Sequence, residues 1–143
     1  MGINQISVFL ENRTGQLAGI TGLLARNNVD LRAISIAETA DYGIVRIIAD
    51  NANAVTTILR DAGHIFSLNP VQVISVPDRP GGLTQVLATL ADADIAIDYM
   101  YSLFSHLNGN AYMVFRVSEE EKFVTLMKSH GIDVVTAEDL GIR

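Results

Sequence analysis

The chain contains no cysteine. Disulfides, thiolate metal sites and a cysteine nucleophile are therefore excluded. An excess of basic charge is also missing. Ten Lys plus Arg stand against sixteen Asp plus Glu, a net charge of −6, so the electrostatic footprint of a nucleic-acid binder is absent. Charged residues are only 18 % of the chain and hydrophobic ones 49 %, a balance that buries a core and rules out wholesale disorder. No uninterrupted apolar run reaches the ~18 residues of a membrane span, so no membrane association is expected. The start Met1-Gly2-Ile3-Asn4-Gln5 lacks a basic segment followed by an apolar one. No signal peptide is expected, and the expected compartment is the cytoplasm.

Catalytic and cofactor constellations are missing too. His64, His106 and His130 fall in different predicted elements without ligand spacing, so no metal is expected. Gly15-Gln16-Leu17-Ala18-Gly19 lacks the glycine spacing of a dinucleotide fingerprint, and no phosphate-loop Gly-Lys-Ser/Thr occurs. No Ser-His-Asp ordering or paired carboxylate emerges. Asn12-Arg13-Thr14 fits a glycosylation acceptor, which has no meaning without a secretion signal. The expectation is a protein without cofactor and without catalytic activity.

What is present is a repeat. Val8-Phe9-Leu10-Glu11-Asn12-Arg13-Thr14-Gly15-Gln16-Leu17 resembles Ile74-Ser75-Val76-Pro77-Asp78-Arg79-Pro80-Gly81-Gly82-Leu83 at an offset of 66 residues. The same offset pairs Leu24-Ala25 with Leu90-Ala91 and Val29 with Ile95. Val45-Arg46-Ile47 then matches Phe115-Arg116-Val117 at an offset of 70, so the second copy has the longer hairpin. Two copies of roughly 65–70 residues fill the chain, each near the lower size limit for independent folding. The expected domains are residues 1–69 and 70–143.

Each copy alternates in period. Ile6, Val8 and Leu10 recur at the strand period of two, and Leu17, Ile20, Leu23 and Leu24 follow at helical spacing. Residues 31–38 alternate Ile34 and Ile36 against Ala33, Ser35 and Ala37. A turn at Ala40-Asp41 leads to a strand from 42 to 49. Val55, Ile58, Leu59 and Ala62 form a second helical stripe, closed by Gly63. A short strand over 65–68 ends the copy, with Asn69-Pro70 marking the boundary. The second copy reads as a strand over 71–76, a helix carrying Leu83, Val86, Leu87 and Leu90, and strands over 97–105 and 111–117 around Asn108-Gly109-Asn110. A helix with Phe123, Leu126 and Met127, ended by Gly131, precedes a closing strand at Val134-Val135. The expected fold is α+β, with two tandem ferredoxin-like βαββαβ units. Each is an antiparallel sheet with helices on one face and the other face open.

Chemistry concentrates at the turn between the first strand and first helix of each copy. A glycine at Gly15 or Gly81 lets the backbone approach a bound group, and the N–H groups of a helix start favour a carboxylate. Asp78 could meet an ammonium. A zwitterion would thus be read from both ends. The plainer reading is that Asp, Asn and Gly only shape such turns.

A strand ending in Asp78-Arg79-Pro80-Gly81-Gly82-Leu83, a helix, and then Ala93-Asp94-Ile95-Ala96-Ile97 resembles the ACT domain, the small-molecule-sensing module of amino-acid metabolism. The first copy's Glu11-Asn12-Arg13-Thr14-Gly15-Gln16-Leu17, then Asn27-Asn28-Val29-Asp30-Leu31, resembles the same pattern, with Thr14 where proline is usual. The whole is similar to stand-alone bacterial tandem ACT proteins. The resemblance implies sheets joined side by side into an eight-stranded sheet and an effector amino acid bound at the domain interface. It also implies a contacting loop made of Asn12, Arg13, Thr14, Gly15 and Gln16 in copy one. In copy two the loop is Asp78, Arg79, Pro80, Gly81 and Gly82. Asn28, Val29 and Asp30, and likewise Asp94, Ile95 and Ala96, would be the facing segments. Because Asn12 replaces a carboxylate, one dominant site per chain is expected, at the Asp78 loop.

Other residues carry paired readings. Arg46 and Arg116 should lie on the open sheet face, as anion contacts or as part of a solvated surface. Tyr99 and Tyr101, where copy one has Ala33 and Ser35, would stand out from the open face to meet a partner sheet or line the ligand site, or else pack as ordinary aromatics. Glu119-Glu120-Glu121 should begin the fourth helix, and His130 should end it. The leading function is an amino-acid-binding regulatory protein, expected as a homodimer with a catalytic enzyme as a further partner. The small subunit of acetolactate synthase is the alternative within regulation, opposed by the second Asp-Arg-Pro-Gly-Gly motif. A ligand-free oligomerisation module and a small lyase or isomerase are the remaining classes.

Overall fold

The computed structural model describes residues 2–11, 13–38 and 41–143; Asn12 and the Ala40 half of the expected turn lie outside them. Seven strands and four helices follow one another as β1 (Ile3–Glu11), α1 (Gln16–Arg26), β2 (Leu31–Glu38), β3 (Tyr42–Ala49), α2 (Ala52–Asp61), β4 (Ile65–Pro77), α3 (Gly82–Asp92), β5 (Ile97–Leu107), β6 (Asn110–Val117), α4 (Glu120–Ser129) and β7 (Val134–Val135). Two compact units arise. One comprises residues 4–69 with 141–143, the other residues 1–3 with 70–140. The tail joins the first of these through the Arg143 N–H, which donates to the Asp50 carbonyl at 2.8 Å.

Both units have one topology. In the first unit the strands run β2-β3-β1-β4 and in the second β5-β6-β4-β7, each the order second, third, first, fourth within its copy. The pairings β1–β3, β2–β3, β4–β6 and β5–β6 are antiparallel. In the first unit Ile6, Val8, Leu10, Val45 and Ile47 bury against Ile20 and Leu24 of α1 and Val55 and Leu59 of α2. In the second, Ile74, Val76, Phe115 and Val117 meet Val86, Leu90, Phe123 and Met127. The Phe115 and Phe123 rings lie 5.5 Å apart at 40°. Each such side chain contributes about 1.5–3 kcal/mol on burial. The period-two and helical stripes of the sequence are the surfaces that meet here.

One expectation is corrected. The separate strands at 65–68 and 71–76 are a single β4 running through Pro70, so the described residues hold seven strands and not eight. Proline pushes its predecessor into extended conformation and can itself lie in a strand where its missing N–H is not needed. Here Asn69-Pro70 prolongs the strand.

Both second strands carry a bulge. β2 pairs Leu31 with Ala49 but Ala33 with Ile48, leaving Arg32 extra. β5 pairs Ile97 with Val117 but Tyr99 with Arg116, leaving Asp98 extra. The bulge resets the alternation. Ile97 and Met100 pack in the helix-side core, while Tyr99 and Tyr101 turn to the opposite face beside Arg116 and Val114. The tyrosines thus lie half-buried on the face away from the helices, but that face is not the open one expected, since Val73 and Val114 on it are buried; the two rings stack with centroids 6.4 Å apart. On the corresponding face of the first unit Gln5 and Ser7 are buried. They are satisfied by a chain in which the Gln5 amide donates to the Ser7 hydroxyl at 3.0 Å and that hydroxyl donates to Asn69 at 2.8 Å.

All four helices close in the same way. The residue after the cap is left-handed, at Asn28 (φ 59°), Gly63 (φ 80°), Asp94 (φ 57°) and Gly131 (φ 71°). The next N–H reaches back to the helix, as Val29 to Leu24 at 3.0 Å and Ile95 to Leu90 at 3.0 Å. This is the Schellman closure. α4 begins with Glu120 and Glu121 in its first turn, and at its end the His130 Nδ1 lies 3.0 Å from the Leu126 carbonyl and 3.2 Å from the Ser129 hydroxyl.

Candidate functional site

The two strand-to-helix loops share a backbone. The Arg13 N–H donates to the Glu11 carbonyl at 2.9 Å and the Gln16 N–H to Arg13 at 3.3 Å. In the second copy Arg79 donates to Pro77 at 3.0 Å and Gly82 to Arg79 at 3.0 Å. Gly15 (φ 89°) and Gly81 (φ 86°) are the left-handed N-caps of α1 and α3, and neither helix start receives a side-chain cap. By contrast, the Asn51 side chain accepts from the Ala54 N–H at the start of α2. The first N–H groups of α1 and α3 therefore have no capping side chain to meet them.

The loops differ one residue later. A Cβ on Gly82 would lie 2.1 Å from the Pro77 carbonyl oxygen, so only glycine allows α3 to start this close to the end of β4. Gln16 holds that place in copy one. The second loop is also tied down by the Asp78 N–H, which donates to the Gly109 carbonyl at 2.9 Å. Asp78, Arg79, Pro80 and Gly81 are exposed, as are Arg13, Thr14 and Gly15. Arg13 pairs with Glu11 at 2.8 Å.

A hollow of about 330 Å³ opens beside the start of α3. Its walls are Ser75 and Pro77 of β4, Gly82 and Gln85 of α3, Asn110 at the hairpin and the α4–β7 connection at His130 and Asp133. A second hollow, about 440 Å³, shares Ser75, Asn110 and Asp133 and adds Tyr112, Val135 and Asp139. The Asn110 amide donates to the Ser75 hydroxyl at 2.9 Å, and the Asp133 carbonyl accepts from the Ser75 N–H at 3.0 Å. Hydrogen bonds from the Thr136 backbone and then its side chain hold the Asp139 carboxyl below its ordinary range. Sequence reading missed Ser75, Asn110 and Asp133, because they come from three segments that only the fold brings together.

The sequence-predicted residues do not all gather at one place within a unit. α3 spans 11 residues, about 16 Å at 1.5 Å per residue, with the Asp78 loop at one end and Asp94, Ile95 and Ala96 at the other. The same separation holds between Gln16 and Asn28, Val29 and Asp30 across α1. Asn28 and Asp94 have a local task as the left-handed residues of helix closure, and Ile95 is core. Arg116 is half-buried. Its Nη1 donates to the Pro70 carbonyl at 2.7 Å and pairs with Glu120 at 3.3 Å, so its guanidinium is engaged within the fold. Arg46 is half-buried opposite Ser7 and Ser35.

Compared with known families, residues 1–142 match the ACT domain pair. The chain belongs to the ACT domain pair family. Among solved structures this ACT pair resembles protein BT0572 from Bacteroides thetaiotaomicron at 38 % identity and a TM-score of 0.90, covering 99 % of this chain and 96 % of that one. The regulatory subunit of aspartate kinase from Thermus thermophilus shares the fold at 12 % identity and a TM-score of 0.65, with 90 % and 93 % covered. That from Thermus flavus does so at 14 % and 0.62, with 92 % of each chain covered. No curated protein sequence matches the ACT pair. Among the described residues no helix is long and apolar enough to cross a membrane, and no group of three His, Asp or Glu could hold a metal ion.

Proposed function

We propose that this ACT pair is an amino-acid-binding regulatory protein of amino-acid metabolism, without catalytic activity of its own. The observation that carries this reading is the second loop. An uncapped helix start, opened by left-handed Gly81 and packed close by Gly82, lies beside a polar hollow. The ligand carboxylate would take N–H groups of the first turn of α3 beyond that of Gly82, which the Arg79 carbonyl already accepts, and Asp78 would take the ammonium. Arg79 and Pro80 shape the loop. Asn12, Arg13, Thr14, Gly15 and Gln16 form a weaker counterpart, since Asn12 offers no charge to an ammonium. Occupancy would act by favouring one of two arrangements of an interface, in a cytoplasmic homodimer or against a catalytic enzyme. The fold shared with regulatory subunits of aspartate kinase supports regulation as the class of role.

The test is calorimetric titration of the whole chain with each of the twenty amino acids, repeated on Asp78→Ala. One dominant binding event per chain is expected. Removing a hydrogen bond to a charged group costs about 1.5–3 kcal/mol, so Asp78→Ala should weaken binding by roughly 10- to 100-fold. Unchanged affinity in Asp78→Ala, or two equal and independent sites, contradicts this assignment.

A further inference from the structure

The two hollows beside α3 form a trough whose charge is one-sided. They meet at Ser75, Asn110 and Asp133, where β4 extends past the two-residue β7. Gly82, the first residue of α3, lines only the first hollow, and Asp139 only the second. Among the described residues its charged lining is two carboxylates, Asp133 and Asp139, with the His130 imidazole and without Lys or Arg. The remaining polar lining includes hydroxyls and amides from Ser75, Gln85, Asn110 and Tyr112. Such groups solvate a polar chain end, and the apolar lining of Val86, Ile132, Val134 and Val135 flanks the stem of a long side chain.

We propose that this trough takes the side chain of the bound amino acid and selects one ending in a cation, with Asp133 as the specificity-determining residue. The inference rests on the reading of the Asp78 loop as the amino-acid site. With the ligand carboxylate on the first turn of α3, the first hollow, which Gly82 and Gln85 line, is the space its side chain enters, and Asp133 lines both that hollow and the second. A cationic end there meets a carboxylate at a site held in place by the Ser75 N–H bond to the Asp133 carbonyl. An anionic side chain would face Asp133 and Asp139 together and be repelled. Asp139 already accepts from the Thr136 N–H at 3.0 Å, so it contributes field, and Asp133 makes the contact.

The test titrates the whole chain with lysine, ornithine, leucine, phenylalanine and glutamate, then repeats the series on Asp133→Asn and on Asp61→Asn. Asp61 is an exposed carboxylate of the other unit and serves as the control. Asp133→Asn keeps the backbone carbonyl that Ser75 uses, and its far-ultraviolet spectrum and unfolding midpoint verify folding. Lysine or ornithine should bind at least tenfold tighter than leucine or phenylalanine. Asp133→Asn should remove that preference, and Asp61→Asn should leave it. Tighter binding of leucine, phenylalanine or glutamate, or an unchanged preference in Asp133→Asn, overturns the trough assignment while the Asp78 loop site stands. Absence of any binding by the wild-type chain overturns both.

Discussion

Gly81 and Gly82 are adjacent, yet the chain needs them for different reasons. Gly81 has φ 86° with open space where a Cβ would stand, whereas a Cβ on Gly82 would collide with the Pro77 carbonyl. A left-handed non-glycine residue costs about 1–2 kcal/mol; forcing atoms into a packed site costs about 1–3 kcal/mol. Because the neighbour of Gly82 is backbone, Gly82→Ala should fall at the upper end and Gly81→Ala near 1 kcal/mol, measured as urea unfolding midpoints. Equal losses would show that the close approach of α3 to β4 is unimportant. Asp94 gives the opposite sign. At φ 57° it carries a Cβ where glycine would be free of strain, an advantage partly offset by the extra unfolded-state entropy of glycine. Asp94→Gly should therefore raise stability by less than about 1 kcal/mol. If amino-acid affinity also falls, Asp94 contacts ligand; if affinity holds, its task is helix closure alone.

At the scale of elements, the helices differ at their starts and agree at their ends. α2 is capped by Asn51, so Asn51→Ala should cost about 1 kcal/mol in thermal unfolding. A loss near zero would show that the Asn51 cap is dispensable. The helices and β3 were legible in the sequence because their apolar residues recur at a period matching a buried face, as Val55, Ile58 and Leu59 do on α2, whereas the Ile34/Ile36 face of β2 is only partly buried, with Ile36 56 % exposed. The bulges at Arg32 and Asp98 were not legible as bulges, since one unpaired residue only shifts the phase of an alternation. Their consequence was visible even so, because Tyr99 and Tyr101 alternate with Met100. β4 was misread at Pro70, where a residue that commonly ends elements is tolerated in a strand. The glycine loops could be found by their repetition at an offset of 66 residues. The trough could not, because Ser75, Asn110 and Asp133 are 35 and 23 residues apart, and no local pattern links them.

At the scale of the whole molecule, a 143-residue chain holds two units of one topology with cores of their own, and the duplication has left them unequal. The second has Asp78, Gly82 and the trough; the first has Asn12 and Gln16 in the corresponding places. A ligand that binds only the folded chain adds about 2.7 kcal/mol at one hundred times its dissociation constant, enough to move the unfolding midpoint of a chain this size by several degrees. The most direct measurement is thus a thermal-unfolding screen of the intact chain against the twenty amino acids at millimolar concentration, followed by Asp78→Ala with any amino acid that shifts it. The account predicts a rise of several degrees with at least one amino acid, lost in Asp78→Ala. A midpoint unmoved by all twenty, or an equal rise in Asp78→Ala, would contradict it.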